Sequence, residues 1–228
     1  MLQNQDIDRI SIQVGLSGYS FKVQEGDSIR KSGWLGAERV FTTPELQKRY
    51  VQVELSVFTP KFTLVPSGFH SPEKLEQQLS EVVEIEAGDD VSYVDVPEFA
   101  AVLVYSNSIG ETLSKVISET VADVNGLKCL PLPEIYYMLR QLPSLTDYNR
   151  ILASYMDGYL YLTIAQGRNL MLCNVFQAPD FTTAQYFIFL AMKKLQLNTE
   201  VSTICFRTPL DEDEEMSLYR YFKNVEQI

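Results

Sequence analysis

Ile10, Ile12, Val14 and Leu16 alternate with Ser11, Gln13 and Gly15, and Tyr19, Phe21 and Val23 continue the alternation with Ser20 and Lys22. A period of two marks a half-buried strand, so the Ser17-Gly18 step between the two runs predicts a β-hairpin with a tight turn. Residues Glu25 to Arg49 break the pattern. They are polar, hold Gly26, Gly33, Gly36 and Pro44, and read as an excursion with a short helix at Glu45 to Arg49. Strand character returns over Val51 to Phe58 and Phe62 to Val65, with Pro60 between them.

Helical spacing then takes over. Ser71-Pro72 supplies an N-cap and a first-turn proline, and Leu75, Leu79, Val82 and Val83 extend a helix over Pro72 to Glu84. The apolar run Ala100 to Tyr105 suits a buried strand, followed by an amphipathic helix on Ile109, Leu113, Val116, Ile117 and Val121. A short strand at Leu127 to Leu130 precedes a helix opened by Pro133 and carrying Ile135, Tyr136, Leu139 and Leu142. The second part restarts with a meander: Ile151 to Met156, Tyr159 to Ala165 and Leu170 to Phe176, joined at Asp157-Gly158 and at Gln166-Gly167-Arg168-Asn169. A helix at Thr182 to Leu197, a strand at Val201 to Phe206 and a helix at Glu212 to Asn224 complete it.

Strands, helix, strand, helix thus occur twice. The order predicts a duplicated α/β (α+β) chain with an N-terminal half at 1–146, holding the 25–49 excursion, and a C-terminal half at 147–228. Only Val225 to Ile228 remain where the first half has a further strand and helix, so the repeat reads as incomplete or the chain as short.

Composition narrows the function classes. With 46% hydrophobic and 21% charged residues the chain is of ordinary globular make-up. A net charge of −11 opposes the phosphate backbone of nucleic acids, which argues against DNA or RNA as a partner. Asp211 to Glu215 form one acidic run, read as a solvated helix start whose carboxylates face the positive dipole end. Cys129, Cys173 and Cys205 are odd in number and set among apolar residues, which fits buried free thiols and a reducing, cytoplasmic location. No run reaches the roughly 20 apolar residues that span a bilayer, so membrane insertion is not expected.

Candidate chemistry is sparse. His70 is the single histidine, which removes multi-histidine metal sites and leaves a helix-entry surface residue as its simplest role. Gly-x-Ser-x-Gly is absent, and the 11 glycines are too scattered for a phosphate loop or a dinucleotide fingerprint. Asp89, Asp90, Asp95 and Glu98 sit among turn residues and read as surface carboxylates. The pairs Tyr136-Tyr137 and Tyr186-Phe187 and the Tyr219 to Phe222 cluster suit core or interface packing. Trp34 reads either as core or as an exposed anchor.

The hairpin, third strand, and alternating helices and strands, occurring twice, resemble the actin, sugar-kinase and heat-shock chaperone ATPase superfamily. More closely, Ile151 to Leu160 through Asn174-Val175-Phe176, Asp180, Phe181, Tyr186, Phe187 and Lys194 to Asn198, together with the Ile10 to Phe21 hairpin, are similar to a family of uncharacterised bacterial proteins with an actin-like ATPase fold. The resemblance implies a duplicated actin-like fold, two ribonuclease-H-like halves each with a mixed sheet and packed helices. It also implies a nucleotide site in which an Asp-x-Gly turn in each half cradles phosphate and organises Mg²⁺, with a Gly-Gly pair for adenosine.

Here the turns read Leu16-Ser17-Gly18 and Met156-Asp157-Gly158, with an apolar residue at each carboxylate position, and the chain has no Gly-Gly dipeptide. The expectation is a non-catalytic interaction or assembly protein with a protein partner, no ATP or Mg²⁺ cofactor, and no catalytic or metal-ligating residue. The alternative is an ATPase or phosphotransferase with a rearranged site built on Ser17, Gly18, Asp157 and Gly158. Asp157 itself reads as the first residue of an Asp-Gly hairpin turn.

Overall fold

The computed structural model describes residues 8–107 and 111–228, with the backbone alone at Glu111. Ile109 of the second expected helix and most of the polar Met1–Arg9 stretch lie outside the described residues. Along the chain run β1 (Arg9–Val14), β2 (Gly18–Glu25), β3 (Ser28–Lys31), β4 (Leu35–Gly36), β5 (Arg49–Tyr50), β6 (Gln52–Val57), β7 (Phe62–Pro66), α1 (Leu75–Ser80), β8 (Val91–Val96) and β9 (Ala101–Ser106). Then come α2 (Glu111–Thr120), β10 (Ala122–Asp123), β11 (Leu132–Pro133), α3 (Glu134–Gln141), β12 (Asn149–Met156), β13 (Tyr159–Gln166), β14 (Asn169–Gln177), α4 (Phe181–Lys194), β15 (Thr203–Phe206), α5 (Glu212–Tyr219) and β16 (Asn224–Gln227). Two compact units result: Met1–Phe58 with Asn107–Pro133, and Thr59–Ser106 with Glu134–Ile228.

In the first unit the main sheet has the order β11-β6-β1-β2-β3. β1 is antiparallel to β2 and β2 to β3, whereas β1 runs parallel to β6 and β6 to β11. Ile10, Ile12, Val14, Tyr19, Val23, Leu55 and Val57 bury their alternate positions with Ile117 and Val121 beside them in one core. The opposite face of β1 is covered too: Gln13 and Ser20 are buried and bonded to each other, Ser20 Oγ donating to Gln13 Oε1 at 3.2 Å.

In the second unit the five-stranded sheet reads β14-β13-β12-β15-β16, with β14/β13 and β13/β12 antiparallel and β12/β15 and β15/β16 parallel. That is the same strand plan as the first sheet, position for position. Its core gathers Ile151, Ala153, Leu160, Leu162 and Ile164 from one face against Ala184, Ile188 and Met192 of α4, Leu218 of α5 and Phe222 just beyond it. A second, three-stranded sheet, β7-β9-β8, packs Val102 and Val104 on Leu79 of α1.

Several expectations change. The third strand of the first sheet is β3, inside the 25–49 excursion; the short β4 follows it, and the 51–58 strand comes only after both. All four residues of β3 are exposed, so it carries no hydrophobic alternation by which to recognise it. Ala101–Ser106 belongs to the separate three-stranded sheet. No strand forms at Leu127 to Leu130. Asp123 instead nucleates a turn, its Oδ1 accepting from the Asn125 and Leu127 N–H groups at 2.8 Å each, with Gly126 at φ +80, and the short strand falls at Leu132–Pro133.

The helix expected over Pro72 to Glu84 is a 3-10 turn followed by α1 alone, and Ser71 makes no side-chain cap. The last helix ends at Tyr219, and the residues from Asn224 pair with β15 as a fifth strand. The acidic run is the start of α5: Asp211 and Glu214 form a reciprocal capping box. Among the described residues no helix is long and apolar enough to cross a membrane.

Candidate functional site

The two hairpin turns differ in construction. The β1–β2 ladder closes at Val14 and Tyr19, so Leu16 lies in the loop and the turn is wider than the two residues Ser17 and Gly18. Gly15 N–H donates to the Gly18 carbonyl at 3.0 Å, and Ser17 C=O accepts from Ala37 N–H at 3.2 Å. Gly18 pairs with Gly36 of β4, and a Cβ at position 18 would lie 2.2 Å from the Leu35 carbonyl oxygen and 2.7 Å from Trp34 Nε1. Glycine at 18 therefore admits the chain's own Trp34–Gly36 segment. Trp34 is half-buried in that role.

The second turn is tight. Met156 pairs with Tyr159, leaving Asp157 at φ +52 and Gly158 at φ +76, two left-handed residues in succession as a type I′ hairpin requires. Asp157 is a turn-forming residue here, and the strand-end position beside it belongs to Met156. Gly158 C=O accepts from Ala178 N–H at 2.7 Å, tying the turn to the end of β14. Ser17 and Gly18 thus share one turn of the first unit, and Asp157 and Gly158 share one turn of the second. Leu16 lies in the first turn and Met156 at the strand end before the second, so neither position carries a carboxylate.

Behind the second turn lies a polar cluster that sequence reading did not find. Ser154 of β12 stands opposite Tyr161 of β13, both on the sheet face turned away from the α4 side. Ser154 Oγ donates to Glu134 Oε1 at 2.7 Å, and Arg207 Nε donates to the same oxygen at 2.8 Å. Arg207 also donates from Nη1 to Gln141 Oε1 and lies 5.8 Å from the centre of the Tyr137 ring. The Glu134 side chain is fully buried and that of Arg207 is 9% exposed. Burial, together with the Glu134 and Asp157 charges, pushes the Tyr161 phenol well above its usual value. Donors and acceptors here face each other across α3, β12 and the segment after β15. These bonds tie α3, β12 and the segment after β15 together. Its members lie 20 and 73 residues apart in sequence, which no local spacing reveals.

Among the remaining expected groups, His70, Asp89 and Glu98 have structural partners. His70 Nδ1 is 3.2 Å from Gln78 Oε1, and its ring packs at 4.8 Å on Tyr93. Asp89 is not a surface carboxylate: its side chain is 3% exposed, Lys61 Nζ donates to it at 2.7 Å, and Ser106 Oγ donates at 3.2 Å. That bond to Asp89 is the main reason the Lys61 ammonium is held above its ordinary pKa. Glu98 pairs with Arg140 at 3.0 Å. In the first unit a groove of about 610 Å³ is lined by Phe41 and by Thr112, Lys115, Val116, Glu119 and Thr120 of α2.

Comparison with known proteins places this architecture. A Bacteroides thetaiotaomicron protein with an actin-like ATPase fold and unknown function superposes with a TM-score of 0.66 at 16% identity, over 100% of this chain and 94% of that one. A PilM-PilN type IV pilus biogenesis complex gives 0.49 at 10% identity, covering 98% and 88%. A Ppx/GppA family member of Aquifex aeolicus gives 0.34 at 10%, covering 88% and 65%. No curated protein gives a significant match. The fold is therefore the actin-like ATPase fold, and the shared plan of the two sheets shows its duplication. The chain belongs to the family described as protein of unknown function (DUF3822), which matches residues 3–225.

Proposed function

We propose that this chain is a non-catalytic interaction or assembly protein built on a degenerate actin-like fold, with a protein as its partner and no requirement for ATP or Mg²⁺. The observation that carries the reading is the identity of the residues at the two turns: Leu16 and Met156 stand where phosphate chemistry needs carboxylates, and the Trp34–Gly36 segment packs directly on Gly18. An actin-like plan kept without its metal-organising groups is a scaffold whose use lies on its surfaces.

Titration calorimetry with Mg-ATP is expected to give no binding heat, and affinity capture with the whole chain is expected to recover one partner at fixed stoichiometry. Hydrolysis of ATP by the intact protein, lost in an Asp157→Ala variant that still folds, would overturn the reading. It would point instead to a rearranged site on Ser17, Gly18, Asp157 and Gly158.

A further inference from the structure

In the second unit the C-terminal ends of α4 and α5 are joined. Phe189 of α4 packs edge to face on Tyr221 with 4.8 Å between ring centres, and its ring lies 6.1 Å from that of Phe222. Lys193 stands one helical turn beyond Phe189, on the same face of α4. Lys223 N–H donates to the carbonyls of Thr199 and Ser202 at 3.2 and 3.1 Å, which fastens the residues after α5 to the loop after α4. Lys193, Lys194, Arg220 and Lys223 are all exposed, and among the described residues none of the four forms an ion pair. In the same segments Tyr221 is 52% exposed and Val201 64%.

We infer that this joined helix end is a docking surface for a short acidic segment of a partner protein, one that lays an aromatic side chain on Tyr221 and Val201. The inference rests on the assembly role proposed above and names the chemistry of its partner. Charge complementarity selects that partner. Residues 193–202 and 219–224 carry four cations against one carboxylate, Glu200, in a chain whose net charge is −11. A helix end is equivalent to about half a negative charge, so two ends neutralise roughly one of these cations and leave the others for a partner. The rest of α5 limits the partner's size. Its acidic start, from Asp211 to Glu215, lies about 12 Å from its last turn, little more than one Debye length in physiological salt. A bilayer surface or a nucleic acid that covers the cations extends over this acidic start and is repelled there, whereas an acidic segment of a few residues ends within the basic patch.

Fluorescence anisotropy with the whole chain and a labelled peptide, Glu-Asp-Glu-Phe-Glu-Asp-Glu, tests it. Binding is expected with a dissociation constant of roughly 10–300 µM, weakening about tenfold between about 50 and 300 mM salt. Lys193→Glu combined with Arg220→Glu should weaken it by about tenfold or more, and Lys194→Glu combined with Lys223→Glu should do the same. Arg39→Glu combined with Lys74→Glu changes two exposed cations of other segments and lowers the net charge equally, yet should leave the constant within about twofold. Thermal melts of each variant separate lost binding from lost folding. No binding up to about 1 mM peptide would overturn the inference. So would equal losses in the three double variants, or tighter association with phosphatidylserine vesicles or an oligothymidylate than with the peptide. A natural partner held equally well by the parent and by the Lys193→Glu, Arg220→Glu protein would overturn it too, while leaving the assembly role itself standing.

Discussion

Gly18 shows how one residue's chemistry is settled by an approach that is not local. Its φ is unremarkable, yet the Leu35 carbonyl stands where any Cβ would go. Gly18→Ala is expected to cost about 1–3 kcal/mol, read as a fall in urea midpoint, because a backbone atom cannot turn aside. Gly33→Ala, with nothing within 4 Å of its Cβ position, should be nearly neutral in the same assay. The Glu134–Arg207 pair makes a second case. Arg207→Ala leaves the fully buried Glu134 side chain without its guanidinium and is expected to cost about 3–5 kcal/mol. Adding Glu134→Gln to it should recover part of that loss, since the amide still accepts from Ser154 and no buried charge is stranded. Additive losses in this double-mutant cycle would show that the two side chains do not act as a unit.

At the scale of elements, the turns and caps follow from short-range chemistry and the strand pairings do not. The Asp157-Gly158 hairpin is legible because two left-handed residues in a row favour Asp-Gly or Asn-Gly. Asp157→Asn should therefore leave the urea midpoint within about 0.5 kcal/mol of the parent, whereas Asp157→Val, branched at Cβ, should lose about 1–2 kcal/mol. If Asn proved as damaging as Val, the carboxylate would matter beyond the turn. The meander of β12, β13 and β14, the α4 helix and the acidic start of α5 were readable for the same reason: the pattern lies within a few residues, although the Asp180 cap of α4 emerged only in the structure. β3 and β11 were not, since one is wholly exposed and the other is two residues long. β3 folds back on the neighbouring β2, with Glu25 opposite Ser28, whereas β11 depends on β6, far away in the chain.

For the whole molecule, pH tests how far burial has displaced the titrating groups. Burial pushes the thiols of Cys173 and Cys205 from an ordinary 9.0 up to about 12, and burial with Glu45 and Glu25 does the same to the Tyr50 phenol from 10.0. These groups keep their protons in the fold where the unfolded chain has already lost them. Their contribution is complete below the unfolded pKa values and declines as pH rises toward the folded ones. The urea midpoint is expected to fall steadily between about pH 9 and pH 11, with a shallower fall in Cys173→Ser. A flat profile over that interval would mean that the thiols titrate freely in the folded protein.

Read alone, the sequence determined the elements with strong local periodicity, the repeated order of strands and helices, and the apolar residues Leu16 and Met156 at the two hairpins, since each of these is a property of neighbouring residues. Tertiary structure alone decided which strand is third in the first sheet, that Gly18 is covered by Trp34 and Leu35, and that Glu134 meets Arg207. The division has one physical cause. Side-chain period, turn chemistry and capping act within a few residues, whereas ladder pairing, close backbone approach and the burial of charge are set by segments that meet only once the chain has folded.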